Sequence, residues 1–300
     1  MSNAHSSPLP PLPPTITLPT FKVTAKQSGT IQVPPSECFY YAGIQSLWVY
    51  WLVELPVLEP VLTPLGMTPA SFEGMGAVGI NFFNAAVLYG MGQPGNPGAS
   101  GFNETELNIL AFPTNQAANV PAMTFKDFVT NGDQTKRIGA YRVWVSCDKA
   151  IAVAAGQQVY FENKFLTDYT YTVPALNNPG QSLFTWTCHD PDDGAKHIYD
   201  GQVSLSGLNP IPGNMSEWID LSYVADAKRV AGSRRNYLGM YNTYFIPQAN
   251  HSAVSITMGT SPHPMRAAMQ QLIGTRQAVA VQLFQSPACI AEARTYWADL

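Results

Sequence analysis

Apolar and polar residues alternate along much of this chain, and the period is two far more often than 3.6. Residues 104–111 show the pattern: Glu104, Glu106, Asn108 and Leu110 point one way, and Leu107, Ile109 and Ala111 the other. A second alternating strand covers residues 140–147. The runs at 38–58 and 77–89 are aromatic and β-branched, which predicts buried strands, with Pro56, Pro60, Pro64 and Pro69 breaking the first into turns. Further strands are expected at 169–173, 183–188, 201–208, 219–224, 253–258 and 276–284. Helices are few. Asp148 as N-cap and Gly156 as C′ residue enclose a short one. Residues 264–273 form another, stopped by Gly274, and Ser286 and Pro287 open a last one over 287–297. Many short strands without an internal repeat predict a mainly β (α+β) fold, largely antiparallel. Closing the sheet into a barrel would remove its exposed edges.

Composition narrows the function. The chain has 300 residues, 46% of them hydrophobic, enough for a substantial core. Only 12% are charged, against about 25% in ordinary soluble domains; surface buried in a homo-oligomer would account for the difference. A net charge of −4 and the absence of lysine and arginine between Lys26 and Lys126 leave no basic stripe for nucleic acid. The four cysteines, Cys38, Cys147, Cys188 and Cys289, form no CxxC pair and read as free thiols. The longest apolar stretch, 47–58, is interrupted by Glu54 and Pro56, too short to span a bilayer. A soluble, cytoplasmic protein is expected. Residues 1–36 read as a proline-rich arm, with Pro8, Pro10, Pro11, Pro13 and Pro14 favouring polyproline II, and 37–300 as one domain. The arm would either be flexible, dock a partner domain, or lie on a neighbouring surface.

Several motifs carry no chemistry. Residues 90–95 match GxGxxG, but Pro94 and Pro97 prevent a helix from following, so a plain turn is expected. Cys188, His189 and Asp190 are consecutive, so on a strand they point in alternating directions. The acidic stretch 190–194 lacks the full ligand pattern of a calcium loop. No GxSxG elbow or P-loop is present, and nothing calls for a metal or a cofactor. One lysine stands out. Lys164 lies among Tyr160, Phe161, Phe165 and Leu166, after the alanine-rich run 150–155. If that segment is extended, Tyr160, Glu162 and Lys164 share a face. A lysine facing inward loses water, its pKa falls, and the neutral amine can form a Schiff base with a carbonyl. The bland alternative is a structural lysine paired with Glu162.

The order of these features resembles the acetoacetate decarboxylase-like superfamily. The residues that carry the likeness are Gly139, Ala140 and Tyr141, then Asp148, the run 150–153 (AIAV), Gly156 and Lys164; the closing 259–296 stretch is also similar. The resemblance implies a closed antiparallel β-barrel-like domain, homo-oligomers, Lys164 as Schiff-base lysine, and Glu104 as catalytic acid–base group in a turn entering a strand. Three departures bear on the substrate. A second lysine often follows the nucleophile in the family, whereas Phe165 stands here. No arginine is present near the N-terminal strands to hold an acid substrate. An amide, Asn81 or Asn84, replaces a further glutamate. Acetoacetate itself is therefore not the expected substrate. The expectation is a lyase acting on a keto or β-keto acid type of carbonyl compound, by decarboxylation or by aldol condensation and dehydration, in secondary metabolism. Tyr160 and Glu162 would polarise the substrate, and Phe82, Phe102 and Trp144 would wall the pocket. The competing expectations are an acid–base lyase or cyclase without an imine, and a non-catalytic barrel holding an apolar ligand.

Overall fold

The computed structural model describes residues 41–89, 98–133, 135, 137–174, 182–213, 217–224, 229–237, 241–286 and 291–299, with short pieces at Thr24–Ala25 and Ser28–Gly29. The 90–95 glycine turn and most of the proline-rich arm lie outside the described residues. In chain order the main elements begin with β1 (Tyr41–Glu54), α1 (Leu55–Leu62), β2 (Met75–Tyr89), β3 (Gly98–Pro113), α2 (Phe125–Asn131), β4 (Gly139–Cys147), α3 (Ala150–Val159) and β5 (Lys164–Leu166). There follow β6 (Tyr169–Thr172), β7 (Leu183–His189), β8 (His197–Ser204), β9 (Glu217–Val224), β10 (Arg229–Tyr237) and β11 (Tyr241–Phe245). The last are β12 (Val254–Met258), α4 (Pro264–Leu272), β13 (Ala280–Ser286) and β14 (Ala291–Asp299).

β1 to β4 pair antiparallel in sequence order and form the middle of a large sheet. β13, β11 and the strand Ile211–Gly213 extend it beyond β1. On the other side β9 joins β4 in parallel, followed by β10 and β14. Alternation sorts the side chains onto two faces, both of them buried. Along β1, Ile44, Trp48 and Tyr50 enter one core, and Leu47, Val49, Trp51 and Val53 the other. The first face is covered by α2 and α3, through Phe125, Phe128, Val129, Ala152 and Val153. The second is covered by a small sheet, ordered β12, β8, β7, β6, and by α1 and α4. Burying both faces is what demands the near-continuous apolar runs of β1 and β2.

The chain is mainly β with few helices, as the sequence indicates. Three expectations need correction. The large sheet is not closed: its order ends at Ile211–Gly213 and at β14, and no pairing joins these ends among the described residues. Residues 55–62 are a helix, not turns, because Pro56 falls in the first turn, where its missing N–H is not needed. Residues 291–299 form a strand, not a helix, pairing with β10 along its whole length; pairing with a long neighbour overrides a helix-start signal at 286–287. Among the described residues no helix is long and apolar enough to cross a membrane.

Candidate active site

Three adjacent strands bring charged side chains to the face that α3 covers. On β3, Glu104 sits mid-strand rather than in a preceding turn, opposite Cys147 of β4, and Glu106 sits opposite Val145. Val145 is in turn opposite Lys164 of β5. Cross-strand partners share a face, so Glu104, Glu106 and Lys164 converge. Arg142 reaches the same face through a bulge. Leu107 is opposite Trp144 and Asn108 opposite Arg142, which leaves Val143 as the extra residue. In a regular strand Arg142 and Trp144, two positions apart, would share a face; across this bulge they point to opposite faces.

The helix before Lys164 differs from its expected form. α3 runs through Gly156 and ends at Val159, with Tyr160 as its C-cap. Phe161 then takes a positive φ of 55°, uncommon for a residue with a side chain. The Gly156 carbonyl accepts the N–H groups of Tyr160 at 3.2 Å and Glu162 at 3.0 Å. This turn folds Glu162 back beneath the helix. Tyr160, Glu162 and Lys164 are thus not alternate positions of one strand, since the strand begins only at Lys164. Gly156 has a role other than ending the helix: a Cβ there would overlap the side chains of Lys164 and Glu162. Asp148 does not cap the helix. Its carboxylate accepts the Asn103 backbone N–H at 2.9 Å and side-chain Nδ2 at 2.8 Å, tying β4 to β3.

The resulting cluster is a chain of ion pairs. Lys164 Nζ pairs directly with Glu104 Oε2 and lies 3.4 Å from Glu162 Oε2. Arg142 pairs with Glu162 Oε1 and lies 2.7 Å from Glu106 Oε1, 2.9 Å from Asp220 Oδ2 of β9 and 3.8 Å from Glu104 Oε1. Asn81 of β2 donates to Glu106 Oε2 at 3.1 Å and accepts from Ser46 at 2.8 Å. Asn84 instead donates to Asn103 at 2.7 Å, so Asn81 is the amide joined to the cluster. Water is largely excluded: Lys164 is 7% exposed, Glu104 4% and Arg142 2%.

The electrostatics overturn one expectation. Burial alone pushes the Lys164 amine down, as a lysine facing inward should be. Glu104 and Glu162, with Cys147 nearby, push it up by more, and Arg142 counters only in part. The amine is held above the ordinary lysine range, so the resting form is an ammonium and not the neutral nucleophile. Burial, followed by the Glu104 charge, pushes the Cys147 thiol up and keeps it protonated.

The other site residues divide between the faces. Phe102 and Tyr160 belong to the buried cluster on the Lys164 face. Phe82 and Trp144 do not. Phe82 stacks on Trp186 at 4.3 Å under the small sheet. Trp144 meets Phe165 edge-on at 6.1 Å and His263 at 5.3 Å on that same far side. Neither can wall a pocket around Lys164. The residues that the sequence reading did not single out are Arg142, Glu106 and Asp220. The available signal was a single charge inside an otherwise apolar strand, as in 140–145 (AYRVWV) and 218–223 (WIDLSY).

No family model matches the chain, and no curated protein matches it in sequence. Solved structures do match in shape. The enduracididine biosynthesis enzyme MppR, in complex with the condensation product of pyruvate and imidazole 4-carboxaldehyde, is 12% identical with a TM-score of 0.58, over 95% of this chain and 98% of that one. An acetoacetate decarboxylase-like enzyme from Sphingomonas wittichii RW1 is 13% identical, TM-score 0.55, over 90% and 98%. An acetoacetate decarboxylase is 11% identical, TM-score 0.53, over 88% and 91%. The chain therefore has the acetoacetate decarboxylase-like fold.

Proposed function

We propose that this protein is a lyase that forms an imine between Lys164 and a small carbonyl substrate. The observation that carries the proposal is the buried contact of Lys164 Nζ with Glu104 Oε2, with Glu162 on its other side. A resting ammonium is compatible with nucleophilic attack because its proton has a place to go. Glu104 takes it, leaving a neutral amine and a neutral acid. The amine adds to the substrate carbonyl carbon. Glu104 then returns its proton to the carbinolamine hydroxyl, and water leaves. The product is a protonated imine beside a carboxylate, the same charges as at the start. This imine withdraws the electron pair from a neighbouring C–C or C–H bond. Loss of carbon dioxide would give decarboxylation. Attack of the resulting enamine on an aldehyde, followed by loss of water, would give condensation and dehydration. MppR has been solved with pyruvate and with a pyruvate–aldehyde condensation product, which favours a keto acid as one substrate. Glu162, oriented by Arg142, supports the imine charge. Tyr160 and Phe102 contribute to the enclosing wall.

The test is borohydride reduction in the presence of pyruvate, other 2- and 3-keto acids and aldehydes, followed by peptide mass spectrometry. A reduced adduct on Lys164 is expected; no adduct with any of them defeats the imine. The raised pKa of Lys164 favours one rival, an acid–base lyase or cyclase in which the ammonium only orients Glu104. Such an enzyme would retain appreciable activity as Lys164→Met, whereas the imine mechanism would not.

A further inference from the structure

Two uncharged polar side chains are buried beside the ion-pair cluster. Ser46 of β1 and Asn81 of β2 are 2% and 4% exposed, among same-face neighbours Ile44, Trp48 and Phe83 that are apolar. Asn81 lies directly opposite Glu106 where β2 pairs with β3, so the two side chains meet on one face. The two ends of its amide have different partners. Oδ1 accepts the Ser46 hydroxyl at 2.8 Å, and Nδ2 donates to Glu106 Oε2 at 3.1 Å. An ionised carboxylate only accepts. The amide therefore serves both neighbours in one orientation; reversed, two acceptors would meet at Glu106.

From Glu106 the contacts continue to the lysine. Glu106 Oε1 lies 2.7 Å from Arg142, Arg142 pairs with Glu162 Oε1, and Glu162 Oε2 lies 3.4 Å from Lys164 Nζ. We propose that Asn81, fixed by Ser46, is a positioning residue for the reaction at Lys164: it turns Glu106 so that Arg142 stays shared with Glu162, and Glu162 stays beside the amine and the imine. This inference rests on the imine reading of Lys164. A Glu106 that loses the Asn81 donor turns both oxygens onto Arg142, because a bidentate pair with a guanidinium is the stronger arrangement. Arg142 is then drawn away from Glu162, and the charge that supports the protonated imine moves off it.

The test compares Asn81→Leu and the isosteric Asn81→Asp with wild type, as full-length protein shown by circular dichroism to be folded at each pH. Borohydride trapping is measured against the concentration of pyruvate, or of the fastest-trapping member of the carbonyl panel above, from pH 5 to pH 8. The charged groups on this face are Glu104, Glu106, Arg142, Glu162, Lys164 and Asp220; Ser46 is uncharged, and α3 carries no charged residue. A carboxyl at position 81, buried beside Glu106, keeps its proton to higher pH than an ordinary aspartate. Protonated, it donates to Glu106 as the amide does; ionised, it repels Glu106. The maximal trapping rate of Asn81→Asp should be within about threefold of wild type at pH 5 and at least about tenfold lower at pH 8. Asn81→Leu should be at least about tenfold slower at both, and half-saturation should stay within about twofold of wild type in each variant. The pH-dependent ratio for Asn81→Asp decides the matter even where Asn81→Leu does not fold. Asn81→Asp following the wild-type profile throughout, or a change confined to half-saturation, would overturn this proposal and leave the imine standing. A wild type that traps none of the panel would overturn both.

Discussion

Replacing Gly156 with alanine sets two effects against each other. Within a helix alanine is about 0.8–1.0 kcal/mol better than glycine, and Gly156 lies inside α3. The added methyl, however, overlaps the Lys164 side chain and the Glu162 carboxylate and comes within 3.4 Å of Lys164 Cβ. Overpacking a filled core costs about 1–3 kcal/mol. The net change lies between roughly zero and 2 kcal/mol of destabilisation, and each kcal/mol moves Tm by about 2–4 °C in a domain of this size. Tm should fall by no more than about 8 °C. The chemistry should suffer far more. Lys164 must move off its contact with Glu104, and a misplacement of about 1 Å costs about 100-fold in rate. The assay is the rate of borohydride-trapped adduct formation, measured alongside thermal unfolding on the same preparation. A folded variant that traps about 100-fold more slowly is expected. If Gly156→Ala instead melts higher and traps at the wild-type rate, the placement of Lys164 beneath α3 is wrong.

Other expectations follow from the same geometry. Lys164→Met should abolish trapping and destabilise the fold by about 3–5 kcal/mol, since it strips a buried partner from Glu104 and Glu162. The raised amine pKa means that folding tightens the proton on Lys164. That stabilisation is complete below the unfolded lysine value of about 10.4 and is lost as pH rises from there through the folded value. Denaturant titrations should therefore show wild-type stability falling above about pH 10 more steeply than that of Lys164→Met; parallel curves would contradict the assignment. Arg142→Met should cost at least about 3 kcal/mol, because Glu106, Glu162 and Asp220 lose a common partner; urea unfolding showing less than 1 kcal/mol would refute this hub. His263 accepts the Met265 N–H on Nδ1 at 3.2 Å, which requires that nitrogen unprotonated. Burial lowers the pKa of His263, with Asp190 and Asp192 opposing. The cap should thus persist above the unfolded value of about 6.5 and weaken as pH falls below it through the folded value. Hydrogen exchange at the first turn of α4, corrected for intrinsic rates, should show less protection at pH 5 than at pH 7.5, and His263→Asn should remove that difference.

Period-two alternation showed where many of the strands lie because it is a local consequence of backbone geometry, but it missed those at Arg229–Tyr237 and Tyr241–Phe245. It placed Glu104 and Glu106 together on one face before any pairing was known. It did not show the faces' neighbours. Phe82 and Phe102 look equally fit to wall a pocket in the sequence, yet adjacent strands carry them to opposite sides of the sheet. Arg142 escaped notice for a related reason. A single extra residue at Val143 changes which side chains share a face, and a bulge leaves no mark in the hydrophobic pattern. The helix-start signal at 286–287 misled because a local preference worth about 1 kcal/mol yields to a full ladder of strand pairing.

What the amino-acid order settled by itself was local: many of the strands, the first suspect lysine, and the absence of lysine and arginine along residues 27–125. What the folded chain alone decided was the charge state of that lysine. Burial and ion pairing act on an amine in opposite directions, and their balance depends on distances between residues 104, 142, 162, 164 and 220. Those residues are brought together by β3, β4, β5, β9 and the turn after α3, and no property of one segment contains that sum.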